Sequence, residues 1–346
     1  MSKRKPTRTS MQIVDIPPIP FGVFDVDPTL QFDPKTAKIR CVVANCDQYL
    51  APPARKKKGE MCSEHGICVH RSATYSYADP KCNAIAGREL LINQVIGHPF
   101  KFESHRLGAE RSEDMLSWNV FRSFQEAGCL RLIGNYITGY ETNKEPRLFL
   151  WGLEPTDDIV KPWDLLIAAR KMFEKKLPVK RPLTEPDIGL FLDGHYLALI
   201  EAKFCSPNTA YIKGPRKDKQ SLTLDELLNI YWTLTTEMLN REKALQADMV
   251  YYQLWRNTIF AEYMASLASK GTTPFFVNLT RRGYENDSFN HFVDLVNQEH
   301  KHQVVHIFFE DLFTIAGLTG GKLDLLREYM LTKTANLQPA FEFGFW

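Results

Sequence analysis

The stretch from Glu185 to Phe204, EPDIGLFLDGHYLALIEAKF, constrains this chain more than any other. Two apolar runs, PDIGLFL and YLALIEAKF, flank an Asp193-Gly194 step. Runs rich in Leu, Ile and Phe that meet at a DG step predict two antiparallel strands joined by a tight turn. Charges inside such strands are the anomaly. Asp187 opens the first strand, and Glu201 and Lys203, two apart on the second, point to one face. A carboxylate or ammonium on an apolar sheet is costly unless it is paired or coordinates a metal.

Register decides whether Asp187 joins them. A two-residue turn at Asp193-Gly194 would set Asp187 opposite Ile200, on the wrong face. A three-residue loop, Leu192-Asp193-Gly194, with Gly194 in the left-handed region, sets it opposite Leu199. Asp187 is then a diagonal neighbour of Glu201, with Cβ atoms within about 7–8 Å. One divalent ion can bridge two carboxylates at that spacing. The three-residue loop, or an equivalent bulge, is the expectation. The competing reading is a surface hairpin whose Glu201 and Lys203 form a solvated pair worth little.

Pro186-Asp187, thirteen intervening residues and Glu201-Ala202-Lys203 together resemble the PD-(D/E)xK superfamily of restriction-endonuclease-like nucleases. The resemblance implies that Asp187 and Glu201, with the Ala202 carbonyl, bind one or two Mg²⁺ ions, for which Mn²⁺ can substitute. It implies that Lys203 orients or activates the attacking water and balances charge on the phosphate. The products would be a 5′-phosphate and a 3′-hydroxyl.

Upstream, ERSEDMLSWNVFRSFQEAG reads as a helix: Ser112 is a good N-cap, Glu113 and Asp114 fall in the first turn, and Gly128 stops it. Leu116, Val120 and Phe124 share a face, and Glu113 lies on the same side. In the superfamily a carboxylate from the helix before the hairpin often completes the metal site. The SED…WN…F run also looks like an uncharacterised bacterial branch of it. Glu113 is therefore a third candidate Mg²⁺ ligand, with Asp114 or Glu110 as substitutes. Several branches also place a Gln after the hairpin in a Q-x-x-x-Y motif. Gln253 fits, but the fourth residue after it is Asn257 rather than Tyr.

The second landmark is Cys41-x4-Cys46, fifteen residues, then Cys62-x2-His65. Thiolate and imidazole at this spacing suit a closed, structural Zn²⁺ site. Five of the seven cysteines lie between Cys41 and Cys82, and no export signal precedes them, which favours metal over disulfides. Cys68, His70 and Cys82 remain spare ligand candidates. About fifty residues with few large apolar side chains need such a staple to fold. The module resembles a zinc ribbon or treble clef.

Together these features predict an α/β chain in three parts: a mobile basic and Pro-rich arm over residues 1–36, a zinc module over 37–85, and a nuclease-like mixed β-sheet flanked by helices over 86–346. The net charge of +2 leaves nucleic-acid contact to local patches. Candidates are Lys3, Arg4, Lys5 and Arg8 on the arm, Arg55, Lys56, Lys57 and Lys58 on the zinc loop, Lys213, Arg216, Lys217 and Lys219 after the hairpin, and Arg256, Arg281 and Arg282 further on. No apolar run approaches the ~18 residues of a membrane span, and with no secretory signal a cytoplasmic protein is expected. No phosphate-cradling Gly loop, G-x-S-x-G or Cys/His catalytic pair stands out.

Two elements before the hairpin, Cys129–Tyr140 and 147–151, read as strands or β-like segments, and Trp163–Lys176 as a helix. After it, the capping box Thr223…Glu226 opens a helix to about Asn240. TPFFVNLT and QVVHIFFE bracket a helix as a β-α-β unit. The function expected is a Mg²⁺-dependent endonuclease acting on DNA, in restriction or phage defence by analogy and weakly a homodimer. The alternatives are a binding or assembly module without catalysis and an RNA-directed nuclease of the same fold.

Overall fold

The computed structural model describes residues 25–54, 57–101, 107–156, 159–176, 183–212, 223–232 and 237–343. In chain order its strands are β1 (Ile39–Arg40), β2 (Tyr49–Leu50), β3 (Ile67–His70), β4 (Thr74–Tyr77), β5 (Arg147–Leu150), β6 (Leu153–Pro155), β7 (Val160–Pro162), β8 (Ile188–Leu192), β9 (Tyr196–Lys203), β10 (Ala210–Ile212), β11 (Met249–Tyr251), β12 (Thr273–Thr280), β13 (Val304–Phe308), β14 (Thr334–Ala335) and β15 (Gln338–Pro339). The longer helices are α1 (Glu113–Glu126), α2 (Leu130–Thr138), α3 (Asp164–Phe173), α4 (Leu224–Tyr231), α5 (Arg241–Gln246), α6 (Tyr252–Leu267), α7 (Asn286–Val293), α8 (Phe309–Gly317) and α9 (Asp324–Thr332). None of the described helices is long and apolar enough to cross a membrane.

The expected α/β class is what the chain adopts. Seven strands form one mixed sheet in the order β13-β12-β9-β8-β5-β6-β7. β9, β12 and β13 run parallel, whereas β8, β5, β6 and β7 pair antiparallel. The crossover from β12 through α7 to β13 is the β-α-β unit that the sequence foretold. All eight residues of β9 are buried. Its continuous apolar run reflects a strand covered on both faces. Ala198, Ile200 and Ala202 face the core built with α1, α2, α8 and α9. Leu197 and Leu199 face a second core built with α3, α4, α6 and α7. By alternation Glu201 and Lys203 point to that second side, toward α6.

The hairpin corrects one detail of the sequence reading. Leu192 pairs with Tyr196, so the three-residue loop is Asp193-Gly194-His195 and not Leu192-Asp193-Gly194. Leu192 stays in the ladder because its side chain is buried in the first core. Gly194 takes φ +70°, and His195 donates to the Leu192 carbonyl at 3.0 Å. Asp193 accepts from Ser269 N at 3.2 Å and Gly194 donates to Thr272 Oγ1 at 3.1 Å, which ties the loop to the start of β12. Ile188 pairs with Ile200, and continuing this register sets Asp187 directly across from Glu201 instead of diagonally.

Two other expectations fail for identifiable reasons. The segment read as a strand or β-like after Cys129 is the helix α2. Its β-branched and aromatic residues biased the reading, but Leu130, Ile133, Gly134 and Ile137 are buried at helical spacing. Gly134 lies against the Tyr196 hydroxyl, leaving no room for a side chain, and Gly139 ends the helix at φ +70°. The helix opened by the Thr223 capping box stops at Tyr231, with Trp232 extended, and a second one begins after the Asn240 cap.

Gly189 on β8 gives a stability prediction. Its ring neighbour Trp163 stacks on Phe149 with centroids 3.9 Å apart. A Cβ at Gly189 would sit 2.7 Å from Trp163 Cη2 and nearer still to Cζ3. Gly189→Ala is expected to cost about 1–3 kcal/mol through overpacking, read as a lower urea midpoint at unchanged m-value.

Candidate functional site

Glu201 lies on β9, 2 % exposed, and both oxygens of its carboxylate accept hydrogen bonds. Oε1 accepts from Lys203 Nζ at 2.6 Å and Gln253 Nε2 at 2.8 Å. Oε2 accepts from Asn257 Nδ2 at 2.7 Å. Gln253 and Asn257 are i and i+4 on α6, so one helix face presents both amides to one carboxylate. The departure from Q-x-x-x-Y at position 257 thus keeps a polar contact to the acid. Asn257 is wholly buried, and its Oδ1 has no partner. Sequence reading passed over its role; an i, i+4 amide pair set among the large apolar residues Leu254, Trp255 and Ile259 was the signal.

Half-buried Asp187 is held by its backbone carbonyl, which accepts from Trp151 N at 3.1 Å, and by its Oδ2, which accepts from Ala202 N at 2.8 Å. Burial, then the neighbouring Glu201 charge, push its carboxyl well above the usual range, with Asp114 adding to the effect. Burial by itself would lower the Lys203 ammonium, but Glu201, Asp187 and Glu113 outweigh it and raise it. Lys203 is therefore charged across the ordinary pH range. Two carboxyls and one ammonium converge at the end of β9.

Glu113, the first residue of α1, reaches the residues that follow Lys203. Its Oε1 accepts from the backbone N–H of Phe204 at 2.8 Å, Cys205 at 3.0 Å and Ser206 at 2.9 Å. The Ser206 hydroxyl lies 2.9 Å from Oε1 and 2.8 Å from Oε2. The two substitutes weighed for it are engaged elsewhere. Glu110 is buried against Lys333, with Nζ–Oε2 of 3.2 Å. Asp114 accepts from Trp151 Nε1 at 3.0 Å and pairs with Lys101 at 2.8 Å.

Lys101 was not legible in the sequence. It is buried, it bridges Asp114 to Glu185 at 3.1 Å, and its ammonium lies 4.5 Å over the Trp151 ring. These contacts join residues 84 apart and tie the chain just before β8 to the start of α1. Arg281 donates Nε to the Phe204 carbonyl at 2.7 Å and Nη1 to that of Ala340 at 3.3 Å. Arg282 pairs with Asp311 at 2.7 Å. The Arg256 guanidinium lies 5.1 Å over the Tyr252 ring.

Far along the chain, Cys41, Cys46, Cys62 and His65 bring their ligand atoms within 4.8 Å of one another. Cys46 Sγ and Cys62 Sγ are 3.8 Å apart; His65 Nδ1 lies 3.7 Å from Cys41 Sγ and 3.3 Å from Cys62 Sγ. Tetrahedral zinc with its usual bond lengths spaces sulfurs about 3.8 Å apart and sulfur from nitrogen about 3.5 Å. The cluster therefore could hold zinc. Burial pushes the Cys41 and Cys46 thiols up. Cys41 and Cys46 lie in the β1–β2 hairpin and Cys62 and His65 on the turn that leads into β3, with Gly66 at φ +60° turning the chain after His65. Of the spare candidates, Cys68 donates to the Glu60 carbonyl at 3.1 Å, and His70 Nε2 lies 2.8 Å from Ser76 Oγ. Cys82 is half-buried beside the module's core. Among the described residues, no second group of three such ligands comes this close.

Among the proposed phosphate contacts, Lys57 and Lys58 are exposed. Arg55, Lys56, Lys213, Arg216, Lys217 and Lys219 lie outside the described residues, as do Lys3, Arg4, Lys5 and Arg8. Val26 bridges to Val43 and Phe32 to Ile39, which sets the chain at these two points against the Cys/His module.

No curated protein and no solved structure matches the chain. A family model described as "Restriction Endonuclease associating with ARP" matches residues 166–330. The matched stretch holds Asp187, Glu201, Lys203, Gln253 and Asn257 and leaves out Glu113 and the Cys/His cluster. Over those residues the chain is similar to a restriction-endonuclease-like domain.

Proposed function

We propose that the chain is a Mg²⁺-dependent nuclease that hydrolyses DNA phosphodiesters at the end of β9. The observation that carries this is Asp187 set across the hairpin from Glu201 with Lys203 2.6 Å from the same acid. Burial first, and the facing Glu201 charge second, raise the Asp187 carboxyl even though Lys203 opposes them, and a divalent ion held between the two acids would offset that repulsion. Asp187 and Glu201 are thus the residues that hold Mg²⁺, with the Ala202 carbonyl beside them. Bound there, the metal supplies a Lewis acid for the scissile phosphate.

Lys203 does the work that needs a fixed cation: it orients the attacking water and balances charge on the phosphate. Water adds to phosphorus as the 3′-oxygen leaves, giving a 5′-phosphate and a 3′-hydroxyl. Gln253 and Asn257 hold Glu201 in one rotamer. Asn257→Leu is expected to lower activity or Mg²⁺ affinity about 10–100-fold, read from a Mg²⁺ titration of the cleavage rate.

The test is cleavage of supercoiled plasmid with Mg²⁺, comparing wild type with Lys203→Ala at equal zinc content. Nicking or linearisation by wild type alone supports the reading. DNA binding by both without cleavage overturns it in favour of a binding module. Cleavage confined to RNA in a parallel reaction moves the substrate. The restriction role rests on the wording of the family description, and phage defence on that analogy.

A further inference from the structure

We propose that Glu113 is a positioning residue that anchors the chain just after Lys203, and does not ligate the metal. The inference rests on the reading of Asp187, Glu201 and Lys203 as the reacting site. One oxygen of Glu113 receives three successive backbone N–H groups, from Phe204, Cys205 and Ser206, at 2.8, 3.0 and 2.9 Å. Successive amides that converge on one point form an anion-binding concavity, and here its anion is the Glu113 carboxylate. The Ser206 hydroxyl takes up the second oxygen at 2.8 Å.

The opposite side of the same segment is gripped as well. Arg281 donates to the Phe204 carbonyl, and the Phe204 ring, wholly buried, packs on Phe341 with centroids 5.6 Å apart. Residues 204–206 are therefore fixed through both amides and carbonyl, and Lys203 immediately precedes them. A free turn would let the last residue of an edge-less strand swing at its open end. The clamp keeps the Lys203 backbone in the ladder opposite Thr280, with its ammonium on Glu201. Oε1 is committed to the three amides, so a metal would have to compete with them there or share Oε2 with the Ser206 hydroxyl.

A carboxylate that ligates and one that anchors differ in how they tolerate glutamine. The Gln carbonyl oxygen accepts the same three amides, whereas a neutral amide is a poor Mg²⁺ ligand. Glu113→Gln and Glu113→Ala are compared with wild type by cleavage rate, by Mg²⁺ half-saturation, and by hydrogen exchange at residues 204–206. The expected result is that Glu113→Gln keeps rate and half-saturation within about threefold and keeps the amides protected. Glu113→Ala lowers kcat at least about tenfold with unchanged half-saturation and deprotects the three amides. A Glu113→Gln that behaves like Glu113→Ala and needs about tenfold more Mg²⁺, with the amides still protected, overturns the proposal and makes Glu113 a ligand. If wild type cuts nothing, the nuclease reading fails by itself, and exchange at 204–206 with calorimetric Mg²⁺ binding still decides the role of Glu113. Exchange there that is equal in wild type and Glu113→Ala overturns it.

Discussion

Asp187→Asn is expected to abolish cleavage, by about 10²–10³-fold or more, while making the metal-free site more stable than wild type. The loss of activity follows from removing a charged Mg²⁺ ligand. The gain in stability follows from the raised Asp187 carboxyl. An acid whose folded pKa lies above its unfolded value stabilises the fold fully only below the unfolded pKa, near the ordinary ~4. As pH rises from there through the folded pKa, ionisation forces a second charge beside Glu201 and stability falls. Asn carries no such charge, yet its side-chain carbonyl still accepts the Ala202 N–H. The mutant's advantage in urea should therefore grow from pH 4 upward. Adding Mg²⁺ should reverse the order, because binding stabilises only the chain that binds. A wild type whose urea midpoint ignores Mg²⁺, or a mutant that still cleaves, would sink the site as assigned.

The second large effect is expected at Cys62. Cys62→Ser should reduce the zinc content from about one ion per chain and destabilise the protein by more than about 4 kcal/mol, beyond the usual range for a point change. Cys62 is wholly buried, between Cys46 and His65. The small core around it includes Tyr75, Tyr77 and Leu337, the last of these on the turn between β14 and β15. Loss of the ion should reach further. Glu110 donates its N–H to the Tyr75 carbonyl and accepts from Thr334 N, while Lys333 bonds to its side chain and carbonyl. This buried pair sits between the module and the start of α1, so a loosened module would expose an ion pair that is costly to leave half-made. Elemental analysis and hydrogen exchange over residues 39–77 and 108–113 provide the check. Wild type that purifies without metal yet protects those amides would show that the thiols need no ion.

The sequence by itself determined the β8–β9 hairpin, the face that Glu201 and Lys203 share, and the Cys/His cluster. A DG step between apolar runs specifies a hairpin, period-two alternation puts Glu201 and Lys203 on one side, and Cys-x4-Cys with Cys-x2-His clusters because short spacing limits how far the ligands can separate. The β12-α7-β13 unit was legible for the same reason: apolar runs bracketing an amphipathic helix admit few arrangements. What the sequence left open is what depends on contacts between distant residues. The register of the hairpin was set by Leu192, which stays in the ladder because a core from four other helices buries it. The helical state of 130–138 was settled by packing against Tyr196, which outweighed local propensity. Asn257 and Lys101 gained their roles only when α6 was laid on β9 and Glu185 was brought to α1. Glu113 could be placed on the correct helix face from its spacing, but not on the amides of residues 204–206, some ninety residues away, because backbone donors carry no side-chain signature. Short-range geometry is written in residue types; the tertiary structure alone decides which distant groups satisfy one another's charges and hydrogen bonds.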